Sequence, residues 1–158
     1  MSKISPCLWF ERDAEEAAKF YISLLPNSKI ENVMRSPSDY PGGTKHSVLL
    51  VEFTLAGQSF QALNGGTKPE YTQALSLSID CEDQAEVDRI WDALVANGGK
   101  PVACGWITDR WGVSWQVVPR TLVKLMNDPD RAKAARTMQA MMQMVKIDVA
   151  ALEKAANG

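Results

Sequence analysis

Few side chains in this 158-residue chain are placed to carry chemistry. Glu52 is the first candidate. It lies in an apolar run, His46–Leu55, between Leu50 and Thr54 on its own strand face. A carboxylate held there can act as a general base, or it can serve as an ordinary hydrogen-bonded or solvated Glu. Cys7 offers a thiol, but no neighbouring His or basic residue in the sequence would activate it, and a small buried hydrophobe is the commoner role. The three cysteines, Cys7, Cys81 and Cys104, are odd in number and widely spaced, which speaks against a disulfide framework or a zinc knuckle. The one histidine, His46, stands alone at a strand start. Trp9, Trp106 and Trp111 can form flat apolar walls for an aromatic ligand or fill a core. Asp109-Arg110 reads as turn chemistry and a surface pair.

The elements that position these residues are written twice in the chain. The segment from Asp13 to Asn27 lines up with that from Asp83 to Asn97: an acid opens each, Tyr21 or Trp91 sits mid-helix, and Leu and Asn close each. Two copies are too few for a solenoid; they suggest matched modules with a ligand site between them. The first strand spans 4–10, with Ile4, Leu8 and Phe10 on one face and Ser5, Cys7 and Trp9 on the other. Pro6 leaves one side of it unpaired. Asp13 and Glu16 have capping-box spacing, and Ala17, Phe20, Tyr21, Leu24 and Leu25 form the buried stripe of the following helix. A strand near 28–35, a Pro/Gly-rich loop over 36–45, a strand over 46–55, a turn at Ala56-Gly57-Gln58 and a return strand over 60–63 complete the first copy. The second has a strand through Leu75, Leu77 and Ile79, a helix over 83–97, short strands at 102–103 and 106–107, and a strand over 113–118. Beyond Pro119 the pattern is helical. One helix begins at Asp128-Pro129 with a Met-rich stripe through Ala134, Met138, Met141 and Val145, and a second, over 149–156, is capped by Asp148. That stripe is a packing face or, since Met adapts to irregular shapes, a partner surface.

The chain has the length of one domain and can bury roughly 68–70% of its unfolded surface without staples. A net charge of −2 offers no attraction for nucleic acid or an anionic membrane. No apolar run reaches the ~18 residues of a membrane span, and the N-terminus lacks a signal-peptide pattern. A reducing, cytoplasmic setting is the expectation.

Taken in order, Leu8-Trp9-Phe10, Ala14-Glu15-Glu16-Ala17, Phe20-Tyr21, Val51-Glu52-Phe53, Ala62-Leu63-Asn64-Gly65-Gly66, Asp80-Cys81-Glu82-Asp83 and Asp109 to Pro119 resemble the vicinal oxygen chelate superfamily of glyoxalases, extradiol dioxygenases and bleomycin-resistance proteins. The resemblance is closer to its PhnB-like branch, often labelled a demethylubiquinone methyltransferase domain. It covers residues 4 to 119. It implies an α+β fold in which two βαβββ modules (about 4–66 and 72–119, within 1–119) form a curved mixed sheet with helices outside, and 120–158 is a helical extension of the same domain. It also implies homodimers and a ligand on the concave face. The covered face then carries Leu49, Val51, Phe53, Leu55, Leu75, Leu77, Ile79, Val113, Trp115 and Val117. The ligand face carries Cys7, Trp9, Glu52, Gln61, Ser76, Ser78, Ser114 and Gln116.

Metal-using members of the superfamily place His or Glu at matched positions. Here those positions fall near Ser5 or Cys7 and at Gln61, Ser76 and Gln116, and none is His, Asp or Glu. Transition metals want imidazole, thiolate or carboxylate, so no metal and no other cofactor is expected. Methyl transfer is not expected either, because no Gly pair opens a helix after a strand as S-adenosylmethionine sites of the usual kind require. Two functions follow: a metal-free protein that sequesters a small apolar or aromatic compound, or an enzyme of unknown reaction using Glu52 as base. An anionic ligand held by Arg35 or Lys45 would fit either. Elemental analysis of the purified protein should find no stoichiometric zinc, nickel or iron, and one bound equivalent of any of them would refute the donor argument.

Overall fold

Alternation decides the sheets. In β3 (Val48–Leu55) Val51, Phe53 and Leu55 are buried while Glu52 and Thr54 are only partly so. The computed structural model describes residues 2–158. It divides into two units, one ending at Glu70 and the other running from Tyr71 to Gly158.

In the first unit β1 (Cys7–Phe10) leads to α1 (Ala14–Leu24), then β2 (Lys29–Arg35), β3 and β4 (Gln58–Asn64). The sheet order is β1-β4-β3-β2, with β1 parallel to β4 and the others antiparallel. The β3–β4 hairpin turns on Ala56 and Gly57, both at positive φ, as a two-residue turn matched to strand twist requires. In the second unit β5 (Ser76–Cys81), α2 (Gln84–Ala96), β6 (Lys100–Pro101), β7 (Trp106–Thr108) and β8 (Ser114–Pro119) repeat the pattern. The order is β5-β8-β7-β6, again with the first strand parallel to the last. This is the α+β arrangement of two βαβββ modules. The helical repeat holds at the level of burial: Ala17, Tyr21 and Leu24 of α1 are matched by Val87, Trp91 and Leu94 of α2, all buried. A large apolar side chain so buried contributes about 1.5–3 kcal/mol.

Several boundaries differ from the sequence expectation, each for a local reason. Ile4 is 82% exposed, because β1 starts only at Cys7; Pro6 keeps its carbonyl on β4, accepting from the Gln61 N–H at 2.9 Å. Leu75 is 71% exposed, since β5 starts one residue later, at Ser76. β3 starts at Val48, because His46 takes φ 71°. β6 falls at Lys100–Pro101, before the expected Val102–Ala103. The stripe of α1 runs through Ala14 and Ala18 and leaves Phe20 and Leu25 half-buried. Asp13 occupies the N-cap position without a side-chain cap bond. The Ala14 N–H instead donates to Asn64 Oδ1 at 2.9 Å, and Asn64 Nδ2 donates to the Val48 carbonyl. Asp83 does cap α2, accepting from the Glu86 N–H.

The tail contains a helix that was not expected, α3 (Arg120–Met126), then α4 (Arg131–Met141) and α5 (Val149–Asn157). Leu122, Leu125, Ile147, Leu152 and Ala156 build a small core with Val118, Met141 and Met144. Of the expected stripe, Met138 and Val145 lie outside it, 44% and 48% exposed; α4 buries Ala134, as expected, and Thr137.

Asp109 is buried at 3% exposure. Its carboxylate accepts from the Trp111 and Val113 N–H groups and from Trp115 Nε1, at 2.9, 3.0 and 2.9 Å. It is therefore turn chemistry that also orients the largest fully buried side chain. Asp109→Ala orphans these donors and should cost about 3 kcal/mol or more, with Asp109→Asn costing less, because it keeps one acceptor. Urea denaturation of the full chain measures both; a loss under about 1 kcal/mol for the alanine variant contradicts the assignment.

Candidate functional site

The face of the first sheet turned away from α1 carries the polar residues. Cross-strand pairing sets Cys7, Gln61, Glu52 and Asn32 in one row, through Cys7↔Gln61, Gln61↔Glu52 and Glu52↔Asn32. Asn32 Nδ2 donates to Glu52 Oε2 at 3.2 Å. Between Ile30 and Asn32 the β2–β3 register shifts, so Glu31 is the extra residue of a bulge. Bulges re-aim side chains, and Glu31 reaches Thr54, whose Oγ1 donates to Glu31 Oε1 at 2.7 Å. Lys29 Nζ lies 3.4 Å from the other oxygen. The Thr54 hydroxyl above all holds the Glu31 carboxyl below the usual carboxylate range; desolvation opposes it, and Lys29 adds a smaller downward pull.

An open groove of about 720 Å³ runs over this face, lined by residues 2–5 and by Glu31, Asn32, Glu52, Ser59 and Gln61, among others. A hollow of about 550 Å³, lined by Thr54, Gly57 and Gln58, shares Ser2, Glu31 and Ser59 with it. Of the expected ligand-face residues, Glu52 and Gln61 line the groove. Cys7 shares their row and is exposed, yet neighbouring atoms crowd its thiol and push its pKa up, which makes the thiolate scarce at neutral pH. Trp9 is set apart by Gly65. Its ring lies where a Cβ on that glycine would be, 1.8 Å from Cζ2, and its Nε1 donates to the Thr67 carbonyl at 2.8 Å.

The second unit repeats the row with different chemistry: Ser78↔Gln116 and Gln116↔Trp106. Gln61 and Gln116 hold the same place in their sheets, but the neighbour on the third strand is Glu52 in one and Trp106 in the other. Gln116 Nε2 donates to Ser76 Oγ at 2.9 Å. Ser76 pairs with Ser114, which is buried, and Ser78 is exposed. Sequence reasoning missed Glu31, Asn32, Thr54 and Ser59. Asn32 and Thr54 follow from pairing with Glu52 and from alternation, but the bulge that turns Glu31 into the groove leaves no mark in a period-two pattern.

The site does not suit a zinc, nickel or iron ion. Glu31 and Glu52 already accept hydrogen bonds from Thr54 and Asn32. Among the described residues no three His, Cys, Asp or Glu side chains come together to hold a metal, whereas such ions take three or four N, S or O ligands. His46 is exposed and precedes β3. Among the described residues no helix is long and apolar enough to cross a membrane.

A family model described as 3-demethylubiquinone-9 3-methyltransferase matches residues 2–118. Among solved structures, a PhnB protein of Bacillus cereus is 34% identical, with TM-score 0.66, over 75% of this chain and 99% of that one. Protein PA1353 of Pseudomonas aeruginosa is 24% identical, with TM-score 0.61, over 75% and 98%. A glyoxalase/bleomycin resistance protein of Albidiferax ferrireducens T118 is 18% identical, with TM-score 0.47, over 72% and 95%. No curated protein matches the chain.

A depressed carboxyl such as Glu31 favours the folded state above the ordinary Glu range, and that contribution disappears as pH falls through the depressed value. In a carboxyl-detected NMR titration Glu31 should titrate below the other surface glutamates, and Thr54→Ala should move it up toward them. An unchanged midpoint in Thr54→Ala would show that the hydroxyl is not the cause.

Proposed function

We propose that this chain, which belongs to the 3-demethylubiquinone-9 3-methyltransferase family and has the glyoxalase/bleomycin-resistance type of fold, is a metal-free small-molecule-binding protein. The ligand occupies the groove on the open face of the first unit. One observation carries the reading: a groove of about 720 Å³ whose polar side chains are already oriented by one another, Asn32 on Glu52 and Thr54 on Glu31. Sites of this volume suit small organic molecules, and a few fixed polar groups give orientation. Preset hydrogen bonds also lower the entropy that binding must overcome. Ile4, on the same groove, is exposed and offers a contact for an apolar part of the ligand.

Methyl transfer is no part of this reading. The strand-to-helix connections β1–α1 and β5–α2 are Glu11-Arg12-Asp13 and Glu82-Asp83, with no glycine turn to cradle a nucleotide-bearing cofactor. The competing reading is an enzyme with Glu52 as general base. It is favoured by the Asn32 contact, which holds one carboxylate oxygen and fixes the direction of the other.

Thermal-shift screening of a metabolite and drug panel, repeated with Glu52→Gln and followed by turnover assays on each hit, separates the two. The binding reading expects a stabilising ligand that neither form converts. Conversion by the wild type, abolished in Glu52→Gln, replaces binding with catalysis. Calorimetric titration with S-adenosylmethionine should give no heat of binding; a saturable heat would restore the methyltransferase reading.

A further inference from the structure

The loop between β2 and β3 is laced shut. The Ser36 N–H donates to the Ser47 carbonyl and the His46 N–H to that of Ser36, at 2.9 and 2.8 Å; Tyr40 and Gly43 exchange a pair of backbone bonds. Asp39 Oδ1 accepts from the Lys45 N–H, and the Tyr40 hydroxyl donates to the Val48 carbonyl. Glycine makes the docking possible. A Cβ at Gly42 would lie 2.3 Å from the Asn64 carbonyl oxygen, and one at Gly66 would lie 2.3 Å from that of Pro41. Contacts this close admit no side chain. Between this loop and the start of α1 lies a pocket of about 420 Å³ lined by Arg12, Gly42, Gly43, Thr44, Ser47, Val48 and Asn64.

We propose that this pocket binds a small organic carboxylate, apart from the groove on the sheet. Arg12 is its one charged lining group. Glu11 and Asp13 flank it in the chain, yet among the described residues Arg12 makes no ion pair or hydrogen bond. Two further cations border the loop: Arg35 Nη1 donates to the His46 carbonyl at 3.1 Å, and Lys45 adjoins Thr44 in the chain. The one loop carboxylate, Asp39, is turned to the Lys45 amide. The Gly42 and Thr44 N–H groups find no acceptor among the described residues. A guanidinium fork pairs with a planar carboxylate through two parallel bonds, and the backbone amides can add a third. The remaining wall is Val48, glycine Cα and the uncharged side chains of Thr44, Ser47 and Asn64, which suits a compact body without a second charge. Asn64, tied to Ala14 and Val48, keeps the two sides of the pocket at a fixed separation, so the site is preformed.

The test is a ¹⁵N–¹H NMR titration of the full chain with sodium benzoate, using sodium chloride at matched ionic strength as the blank. Saturable shifts are expected at Gly42, Gly43, Thr44, Ser47 and the Asn64 side-chain amide. Arg12→Gln, at an exposed position whose variant spectrum otherwise reports an intact fold, should weaken benzoate at least about tenfold, or 1.4 kcal/mol. Glu52→Gln should leave it unchanged. Shifts that match chloride, or an Arg12→Gln effect under about twofold, overturn the site. Inorganic phosphate binding more tightly than benzoate at the same resonances overturns the assignment to a carboxylate.

Discussion

One helix lies against one face of each four-stranded sheet, and that burial is the constraint on which the rest depends. Tyr21 of α1 meets Phe53 of β3 with ring centroids 6.4 Å apart, and Phe53 stacks on Phe60 of β4 at 5.5 Å. The side-chain period of a strand is two, so covering Val51, Phe53 and Leu55 forces Leu50, Glu52 and Thr54 to the other side. A one-residue slip would put Glu52 under the helix and Phe53 in water. An unpaired carboxylate in such a core costs several kcal/mol. The position of Glu52 is therefore a consequence of where the aromatics are buried. The same holds in the second unit, where covering Trp115 and Val117 leaves Gln116 on the opposite face.

This is why much of the architecture was legible in the sequence. Alternation in β3, β4 and β8 and helical spacing in α1 and α2 are strong periodic signals, and their repetition fixed the module order. What stayed hidden was not periodic. The bulge at Glu31 breaks the pattern by one residue. The N-terminus of α1 is completed by Asn64, fifty residues away, where local spacing suggested Asp13 with Glu16. α3 spans seven residues, fewer than a convincing amphipathic pattern needs, and β6 is a two-residue strand. Of the eight ligand-face residues read from the sequence, parity placed Glu52 and Gln61 on the groove. It could not show that Trp9, on the same face of its strand, would be drawn onto Gly65 by a hydrogen bond to Thr67.

The two modules have kept their scaffold and diverged at the row that crosses it. Gln61 and Gln116 sit in equivalent places, but their neighbours have become Cys7 and Glu52 in one unit and Ser78 and Trp106 in the other. In the first, the groups form ready-made hydrogen bonds around a carboxylate. In the second, the corresponding carboxylate is an indole. Duplication preserves what packing demands and leaves this row free to change, because its side chains lie outside the buried core. The ionisable chemistry of this row is thereby confined to the first module.

The tail deepens that asymmetry. Val118 follows Gln116 by two residues on β8, so both point to the same face of the second sheet, and Val118 is taken into the core of α3, α4 and α5. The segment before α5 is fastened at several points. Gln84 donates to the Ile147 carbonyl and accepts from the Val149 N–H, at 3.0 and 2.7 Å. Lys146 pairs with Asp88 at 2.8 Å. The Cys104 and Gly105 N–H groups donate to the Met144 and Val145 carbonyls. Gly105 takes φ 81°, which favours glycine, and a Cβ there would crowd Ile147 at 3.0 Å. Ile147 is fully buried, which makes the tail a structural part of the second unit rather than an appendage. One end of that unit's uncovered face is thus built over by its own chain, while the first unit's face bears an open groove. A ligand reading based on two equivalent half-sites would miss this: the module with the carboxylate is the one left open.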